Sequence, residues 1–373
     1  MKVEFYRHHL GEGEFQAVRD VMASPFLTAG PKTLEFERRF AEYLNAKHMV
    51  GLNSCTAALF LALKALDIKQ GDEVIVPAMT FIASANVVLH CGAKPVIVDV
   101  EADTGLIDVK AVERAITART RAVIPVHLYG QMADMKALKS LSEKYKFALV
   151  EDAAHAVEAL RDGVRPGELG DCAAFSFYAT KNLTCGEGGA LSTNVSEMSE
   201  KVRVIRQHGM SKSAAERYHN NYQHWDMIDL GYKYNMFDIQ AAMLIPQLAG
   251  LEKLLKRRHT ICAFYESRFR EAGVEFPIVK AGARSARHLF TVWAPDGRRD
   301  EMLKKLQEKQ IGVAVNYRAI HLLTYYRERY GFKPGMAPVA ERIGDRTMTL
   351  PLYPSLTDAE VEYVATCVVD LHK

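Results

Sequence analysis

The chain has 373 residues, of which 49% are hydrophobic and 25% are charged, so it can bury a large core and is expected to form two domains. Its 48 basic and 45 acidic side chains give a net charge of +3 without a long block of one sign, which argues against a nucleic-acid-binding surface. The N-terminus lacks the apolar segment of a signal peptide, and no apolar run approaches the roughly 20 residues that cross a bilayer. We therefore expect a cytoplasmic protein that binds neither nucleic acid nor membrane.

The cysteines give no sign of a metal centre. No two of them form a CxxC pair, and their spacing matches no common set of metal ligands. We therefore expect reduced thiols and no metal site. The six cysteines are Cys55, Cys91, Cys172, Cys185, Cys262 and Cys367.

From about residue 45 to residue 195, strand-like and helix-like segments alternate. The strand-like segments are continuous apolar runs, which suit strands covered on both faces, as in a parallel sheet. Helical patterns lie between them, so the sequence predicts βαβ units and an α/β fold. Strands are predicted at residues 72–77, 95–100, 122–126, 147–151, 173–178 and 189–193, and helices at residues 109–116 and 135–145.

The remainder of the chain predicts a long helix followed by a smaller α+β unit. The helix begins near Asp238 and has an apolar stripe that includes Leu244 and Leu251. Pro246 is expected to kink or split it. Thr357 followed by Glu360 predicts a capping box for the last helix, which begins at residue 358. The smaller unit is predicted to contain strands at 288–294 and 312–316 and a helix at 301–309, which divides the chain into domains of residues 1–250 and 251–373.

Asp152 and Lys181 provide the first indication of chemistry. Asp152 closes a predicted strand, and Lys181 follows a second one. A lysine amine can form a Schiff base with the aldehyde of pyridoxal phosphate, and a carboxylate can keep the pyridine nitrogen protonated, so that the ring accepts electrons. Both residue types are common, so the surrounding motifs decide whether this interpretation holds.

Four neighbouring features support it, although each has a simpler explanation. Ser54 opens a helix whose first N–H groups could bind phosphate, or it is only a helix cap. Phe81 at a strand end could stack on a flat ring, or it is a core residue. His155 lies three residues beyond Asp152 and could reach the same cavity, or it is an ordinary buried polar residue. The segment GEGG at residues 186–189 suits a close approach to a ligand, or it is only a turn.

With these motifs in this order, the chain resembles the DegT/DnrJ/EryC1/StrS family of sugar aminotransferases, which are fold-type-I pyridoxal phosphate enzymes. The resemblance runs from LTAGP at residues 27–31 to the C-terminal helix. It implies a three-layer α/β fold with a mostly parallel central sheet and a smaller C-terminal α+β domain. The matching motifs are GDEVI (71–75) with Thr80 and Phe81, EDAAHA (151–156), FSF (175–177) with KNL (181–183), GEGG (186–189) and GYKYNMFDIQAA (231–242).

The resemblance also implies roles for individual residues. Lys181 would hold the internal aldimine of pyridoxal 5′-phosphate and then move protons, Asp152 would pair with the pyridine nitrogen, and His155 would bond the phenolic oxygen. The remaining implied cofactor contacts are the ring of Phe81, the backbone groups of Cys55 and Thr56, and the Ser176 hydroxyl.

Other implied contacts involve a second subunit and the substrate. Asn235 would reach the phosphate bound by the neighbouring subunit, so the implied enzyme is a homodimer with shared active sites. Thr28, Tyr317 and His321 match segments that line the substrate side. Two positions depart from the family pattern. Cys55 stands where many relatives have glycine, and Glu158 stands where similar sequences usually have glycine.

The implied reaction is a ping-pong transamination from L-glutamate, which leaves 2-oxoglutarate, to a nucleotide-linked keto sugar. The chain is most similar to members that aminate C4 of UDP-4-keto sugars, such as UDP-4-amino-4-deoxy-L-arabinose synthases. A C3 keto-sugar aminotransferase and a keto-cyclitol aminotransferase remain alternatives. Lys181 argues against dehydratase relatives and against a non-catalytic pyridoxal-phosphate-binding regulator. The polar segment 209–225 is expected to border the substrate entrance and to be mobile without ligand.

Overall fold

The computed structural model describes residues 1–211 and 224–373. Most of the segment 209–225, which is expected at the substrate entrance, lies outside these described residues. The strands of the described part are β1 (His48–Leu52), β2 (Glu73–Pro77), β3 (Lys94–Val98), β4 (Thr120–Val123), β5 (Ala148–Asp152), β6 (Leu160–Arg161), β7 (Cys172–Ser176), β8 (Gly189–Thr193), β9 (Ala283–Arg284), β10 (Phe290–Trp293) and β11 (Thr347–Leu350).

Most of the α-helices surround the central sheet. Two short 3-10 turns, Leu128–Gly130 and Ile320–Leu322, lie in the loops between longer elements. The helices of the described part are α1 (Glu12–Met22), α2 (Pro31–Leu44), α3 (Cys55–Ala65), α4 (Ala83–His90), α5 (Val109–Ala115), α6 (Met135–Tyr145), α7 (Ser196–Ile205), α8 (Asp238–Ala272), α9 (Arg299–Glu308), α10 (Thr324–Tyr330), α11 (Pro338–Arg346) and α12 (Asp358–His372). No helix among the described residues is long and apolar enough to span a membrane.

The central sheet has seven strands in the order β1-β8-β7-β5-β4-β2-β3. Strands β7, β5, β4, β2 and β3 pair in parallel, whereas β8 runs antiparallel to both of its neighbours, β7 and β1. The mostly parallel sheet expected from the sequence is thus confirmed. Its carboxyl-terminal edge gathers the ends of the parallel strands.

Separate apolar cores cover the two faces of this sheet. In β2, Ile75 belongs to the core that also contains Phe36 and Phe175, whereas Val74 and Val76 belong to the core built around α3. Successive side chains of a strand point to opposite faces, so a strand buried on both sides must be apolar throughout. This explains why the predicted strands are continuous apolar runs.

A third core forms the C-terminal unit around the β10–β11 pair. Tyr265 and Phe269 from α8 pack there against Phe290. Val3 joins the same core, and its N–H donates to the Gln310 carbonyl at 2.9 Å, so the N-terminal segment crosses to this unit. Helix α8 runs across residue 250, packing on α1 and α2 at one end and on α12 at the other. The division into 1–250 and 251–373 therefore stays a prediction.

Pro246 does not split the long helix. Helix α8 is continuous over 35 residues with Pro246 inside it. A proline removes one backbone hydrogen bond and usually breaks an isolated helix. Here the packing of α8 against α1, α2 and α12 outweighs that loss. The predicted capping box at the last helix is confirmed, because the Glu360 N–H donates to Thr357 Oγ1 at 3.2 Å and the Thr357 N–H donates to Glu360 Oε2 at 2.8 Å.

The predicted strand at residues 312–316 was wrong. Within the segment only Ala314 forms an isolated bridge, with Thr349, and the Gly312 N–H donates to the Val3 carbonyl at 2.8 Å. Its hydrogen bonds are divided between two different partners, so no continuous ladder forms. Gly312 permits this crossing, because a Cβ at that position would collide with the backbone of Phe5.

A buried carboxylate joins α2, α7 and β1. Glu37 accepts hydrogen bonds from Arg203, from Arg206 and from the Gly51 N–H, each at 2.8 Å. Burial alone would raise the pKa of Glu37, but the two arginine charges and the Gly51 N–H lower that pKa below its ordinary value of 4.5. Glu37 thus fixes the strand that leads into α3.

The Glu37→Gln variant should lose the part of the unfolding free energy that depends on the ionised Glu37 carboxylate. Because the folded-state pKa is depressed, the contribution of Glu37 is present above about pH 4.5 and is lost as the pH falls through the folded-state pKa. We expect the variant to lose about 3–5 kcal/mol of unfolding free energy at neutral pH, and less below pH 4. Urea titrations across this range measure the difference. Glu42→Gln, which removes the exposed partner of Arg38, is the control and should cost below about 1 kcal/mol. A pH-independent loss in Glu37→Gln would contradict the assignment.

Candidate active site

A cavity of about 520 Å³ opens where the parallel strands end. Asp152 is the last residue of β5, Ser176 is the last residue of β7, and α3 begins at the same edge. The carboxyl ends of parallel strands meet at one edge of a sheet, which is where ligands bind in open α/β folds. The site residues proposed from the sequence that line this cavity are Cys55, Thr56, Phe81, Asp152, His155, Ser176, Lys181 and Tyr317.

The remaining site residues proposed from the sequence lie elsewhere in the chain. Thr28 is exposed, and its carbonyl accepts the Asp238 N–H at 3.2 Å. Asn235 forms a backbone bridge with Leu52, and its Oδ1 is buried without a hydrogen-bond partner. His321 is fully buried, with Nε2 at 2.8 Å from Glu341 Oε1. None of these three side chains lines the cavity within one chain.

Asp152 is held by two donors. Its Oδ1 accepts the Ala154 N–H at 3.1 Å, and its Oδ2 accepts the Ser84 hydroxyl at 2.7 Å. Ser84 in turn lies 2.7 Å from the hydroxyl of Thr80. The carboxylate is therefore fixed in orientation at the cavity wall. Ser84 was not predicted from the sequence, although it lies in the first turn of α4, four residues after Thr80.

Lys181 lies in the loop between β7 and β8 and faces Asp152, Cys55, His155 and His288. Burial disfavours its ammonium form and lowers the pKa of Lys181 to about 8, with the charge of Asp152 acting in the opposite direction. Burial and Asp152 both raise the pKa of the Cys55 thiol well above its ordinary value, so that thiol is neutral. A substantial share of Lys181 is thus the neutral, nucleophilic amine near pH 8.

His155 is neutral, and its tautomer is fixed. Burial and the nearby Lys181 charge lower the pKa of His155 well below its ordinary value. Its Nδ1 accepts the Tyr129 N–H at 3.3 Å, so the proton of the neutral ring is on Nε2. Nε2 lies 3.2 Å from the Tyr317 hydroxyl. His155 can therefore donate a hydrogen bond to an oxygen in the cavity.

The start of α3 supplies an anion site. Ser54 caps the helix by accepting the Ala57 N–H at 3.1 Å, and the N–H groups of Cys55 and Thr56 lie at the positive end of the helix beside the cavity. Gly189 of β8 passes so close that a Cβ there would collide with the backbone of Ser54 and Cys55. The GEGG segment is thus more than a turn, because it lets a strand pack against this helix start.

Phe81 is not a core residue. Its side chain is 54% exposed on the cavity wall, and its ring centre lies 5.9 Å from that of Tyr317. An apolar ring, a fixed carboxylate, a buried amine and a helix N-terminus around one cavity fit a flat, phosphorylated aldehyde. These residues therefore fit pyridoxal phosphate. Among the described residues, no group of histidine, cysteine and acidic side chains could hold a metal ion.

Comparisons with known proteins agree with this geometry. The pattern of the DegT/DnrJ/EryC1/StrS aminotransferase family matches residues 8–369. The spore coat polysaccharide biosynthesis protein SpsC of Bacillus subtilis (strain 168) is 42% identical over 371 residues, which cover 98% of this chain and 95% of SpsC.

Solved structures show the same similarity over the whole fold. Spr1654 of Streptococcus pneumoniae, described as a sugar aminotransferase, is 34% identical and covers 100% of this chain and 99% of its own, with TM-scores of 0.95 in its PMP form and 0.94 in its PLP form. DesV of S. venezuelae, solved in complex with a ketimine intermediate, has a TM-score of 0.89 at 37% identity over 96% of this chain and 94% of its own. The fold is that of fold-type-I enzymes, and the cofactor is pyridoxal 5′-phosphate.

The pH dependence of cofactor attachment should report the lowered pKa of Lys181. Because only the neutral amine attacks an aldehyde, we expect the attachment rate of pyridoxal phosphate to the apoprotein to rise with a midpoint near pH 8. An ordinary lysine with a pKa near 10.4 would be only about 0.4% neutral at pH 8. Stopped-flow absorbance measures the rate, and Lys181→Ala, which should give no protein-bound band, is the control. A midpoint near pH 10 would contradict this assignment.

Proposed function

Because the chain belongs to the DegT/DnrJ/EryC1/StrS aminotransferase family and is a pyridoxal-phosphate-dependent sugar aminotransferase, we propose that it transfers the amino group of L-glutamate to C4 of a nucleotide-linked, most simply UDP-linked, 4-keto sugar. The observation that carries the proposal is the buried Lys181 amine in the same cavity as the fixed Asp152 carboxylate. The choice of C4 rests on the sequence resemblance.

Each residue around the cavity has a proposed task. Pyridoxal phosphate, when bound, supplies an aldehyde and an electron-accepting ring. Asp152 would bind the ring nitrogen, and Phe81 would cover one face of the ring. Lys181 would bind the aldehyde carbon covalently and, once released, carry a proton between that carbon and the amine-bearing carbon of the substrate. A lysine with a pKa of about 8 suits this task, because both of its protonation states are populated near neutral pH.

The proposed phosphate contacts come from two places. The backbone N–H groups of Cys55 and Thr56 lie at the start of α3, and the Ser176 hydroxyl lies at the end of β7 on the same cavity wall. A backbone N–H does not depend on the side chain, so cysteine in place of glycine at residue 55 leaves this contact available. The neutral His155 would donate from Nε2 to the phenolic oxygen of the cofactor.

A second cavity supports a phosphorylated sugar as the substrate. It has a volume of about 250 Å³ and shares Thr180 and Lys181 with the first cavity. Its wall is rich in basic side chains. They are Arg7, His8, His9, Lys253 and Arg258, of which Arg258 is paired with Glu158. Glu14 is the acidic residue on this wall. Cationic side chains around a cavity beside Lys181 can bind the diphosphate of a nucleotide sugar. A keto-cyclitol has no diphosphate.

The experiment takes the two half-reactions separately. Addition of L-glutamate to the cofactor-loaded protein should bleach the visible band to that of the pyridoxamine phosphate form. Addition of a UDP-linked 4-keto sugar should then restore the band and yield a 4-amino sugar, identified by NMR. A band that ignores glutamate would contradict the proposed donor. A 3-amino product, or turnover with a keto-cyclitol alone, would replace the proposed acceptor with one of the alternatives.

A variant in the second cavity tests the nucleotide link. Lys253→Ala should raise KM for the sugar nucleotide about tenfold and leave the glutamate half-reaction unchanged. Lys256→Ala is the matched control, because Lys256 is exposed on the same helix and does not line the cavity. Equal KM values in the two variants would contradict a diphosphate in this cavity.

We also propose that the enzyme is a homodimer with shared active sites. Thr28 is exposed outside the cavity, and Asn235 Oδ1 is buried without a partner, so both could serve a second subunit. Large apolar side chains in the segment that precedes Asn235 in the sequence are exposed, as an interface requires. The exposed fractions are 45% for Trp225, 57% for Met227, 60% for Ile228 and 74% for Leu230.

Complementation between two inactive variants should reveal shared sites. A dimer of one Lys181→Ala chain and one Asn235→Ala chain contains one site with both native residues, if Asn235 serves the partner. Random mixing would then restore about a quarter of native activity. Sedimentation of the unmixed variants is the control for assembly. Dimers that restore no activity would place Asn235 at the site of its own chain.

The proposed compartment is the cytoplasm. All six cysteines are free, and Cys172, Cys185, Cys262 and Cys367 are buried. Free thiols suit a reducing compartment. Recovery of the protein from a membrane or secreted fraction of its own cells would contradict this location.

A further inference from the structure

The side chain of Asn182, next to Lys181, has partners at both of its polar atoms. Its Nδ2 donates to the Glu158 carboxylate at 3.1 Å and to the Ala286 carbonyl at 2.9 Å. Its Oδ1 lies 3.2 Å from Nδ1 of His288. A side-chain amide bonded at both ends has a single orientation, so Asn182 anchors the loop that carries Lys181 to two separate segments of the fold, at Glu158 and at residues 286–288.

The partner of this amide is a buried ion pair. Glu158 is fully buried, Arg258 of α8 is 2% exposed, and the two side chains form a salt bridge. Arg258 Nε also donates to the Ala286 carbonyl at 3.4 Å. Removing two charges from water costs free energy that a buried pair often fails to recover, so such a pair is poorly explained by stability alone. A fixed position for the groups around it is the better explanation.

The same amide also orients a histidine behind His155. Asn182 Oδ1 can only accept, so a neutral His288 must carry its proton on Nδ1. Burial first, and the charges of Lys181 and Arg258 with it, lower the pKa of His288 well below its ordinary value. The His288 ring centre lies 4.5 Å from that of His155. His288 therefore supports the face of His155 in one orientation.

We propose that Asn182 is a positioning residue that holds Lys181 and, through His288, His155 in their working geometry, and that the acceptor oxygen at residue 158 fixes Asn182. The proposal rests on the proposed role of Lys181 as the cofactor-binding lysine. It also gives Glu158 a task at a position where similar sequences usually have glycine. A glycine there would leave the Asn182 amide and the buried Arg258 without their carboxylate.

The test compares Asn182→Ala with Asn194→Ala in apoprotein. Asn194 likewise bridges backbone groups, those of Lys47 and Gly167, but at the other end of β8. The pKa of Lys181 is measured from the pH dependence of its labelling by fluorodinitrobenzene, with the labelled peptide identified by mass spectrometry. In wild type and Asn194→Ala, we expect the midpoint to remain near 8. In Asn182→Ala, we expect it to rise by about one unit or more, as a displaced Lys181 becomes hydrated.

A second readout is the attachment rate of pyridoxal phosphate at pH 8. Asn182→Ala should lower it about tenfold or more, because a small misplacement of a reacting group has an effect of that size. If Asn182→Ala lowers only the melting temperature and leaves both the midpoint and the rate unchanged, the residue is structural and the proposal is overturned. Neither readout uses an amino donor or a sugar, so an incorrect substrate cannot produce this failure.

The double variant Glu158→Gln, Arg258→Met separates position from charge. A glutamine at residue 158 can still accept from the Asn182 amide, and removal of the arginine avoids an unpaired buried charge. We expect this double variant to keep the Lys181 midpoint near 8 and the attachment rate within about twofold of wild type, whereas Glu158→Ala, Arg258→Met should behave like Asn182→Ala. Equal behaviour of the two double variants would overturn the role of residue 158 in fixing Asn182.

Discussion

The register between β5, β7 and β8 is the constraint on which the active site depends. Asp152 pairs with Ala174, and Ser176 pairs with Gly189, which packs against the start of α3. A slip of one residue in either ladder would turn every side chain of the shifted strand to the other face. The carboxylate, the hydroxyl and the helix N-terminus would then no longer share one cavity. The apolar cores on both faces of the sheet oppose such a slip, so the buried Val and Ile side chains hold the polar groups in place.

The site is also defined by how little charge it holds. Burial keeps Cys55, His155 and His288 neutral and lowers the pKa of Lys181 to about 8. The acidic side chains in the wall of the first cavity are Asp152, which is buried, and Glu187, which is exposed. The second cavity has the opposite charge, because cationic side chains such as Arg7 and Lys253 line its wall. The two cavities thus present different electrostatic environments on either side of Lys181.

Much of the fold could be predicted because buried parallel strands leave continuous apolar runs in a sequence. The strand at residues 312–316 failed because its hydrogen bonds go to two distant segments, a division that no local pattern records. Lys181 and Asp152 could be found from chemistry, since few residue pairs serve this cofactor. Ser84 and Asn182 could not, because serine and asparagine are common and their contacts join residues far apart in the sequence. Thr28, Asn235 and His321 were proposed by resemblance alone, and within one chain they lie outside the cavity.

Helix α8 contributes to the site at three points along its length. The Gln247 side chain bonds the N–H and the carbonyl of Thr184 in the lysine loop, Lys253 stands in the second cavity, and Arg258 holds Glu158. Gln247 and Arg258 are about three turns apart on the same side of the helix. A one-residue insertion between them would rotate one contact by about 100° relative to the other. The spacing within this stretch is therefore under the same restraint as the identity of the residues themselves, because a deletion or an insertion here would pull the lysine loop and Glu158 out of register with each other.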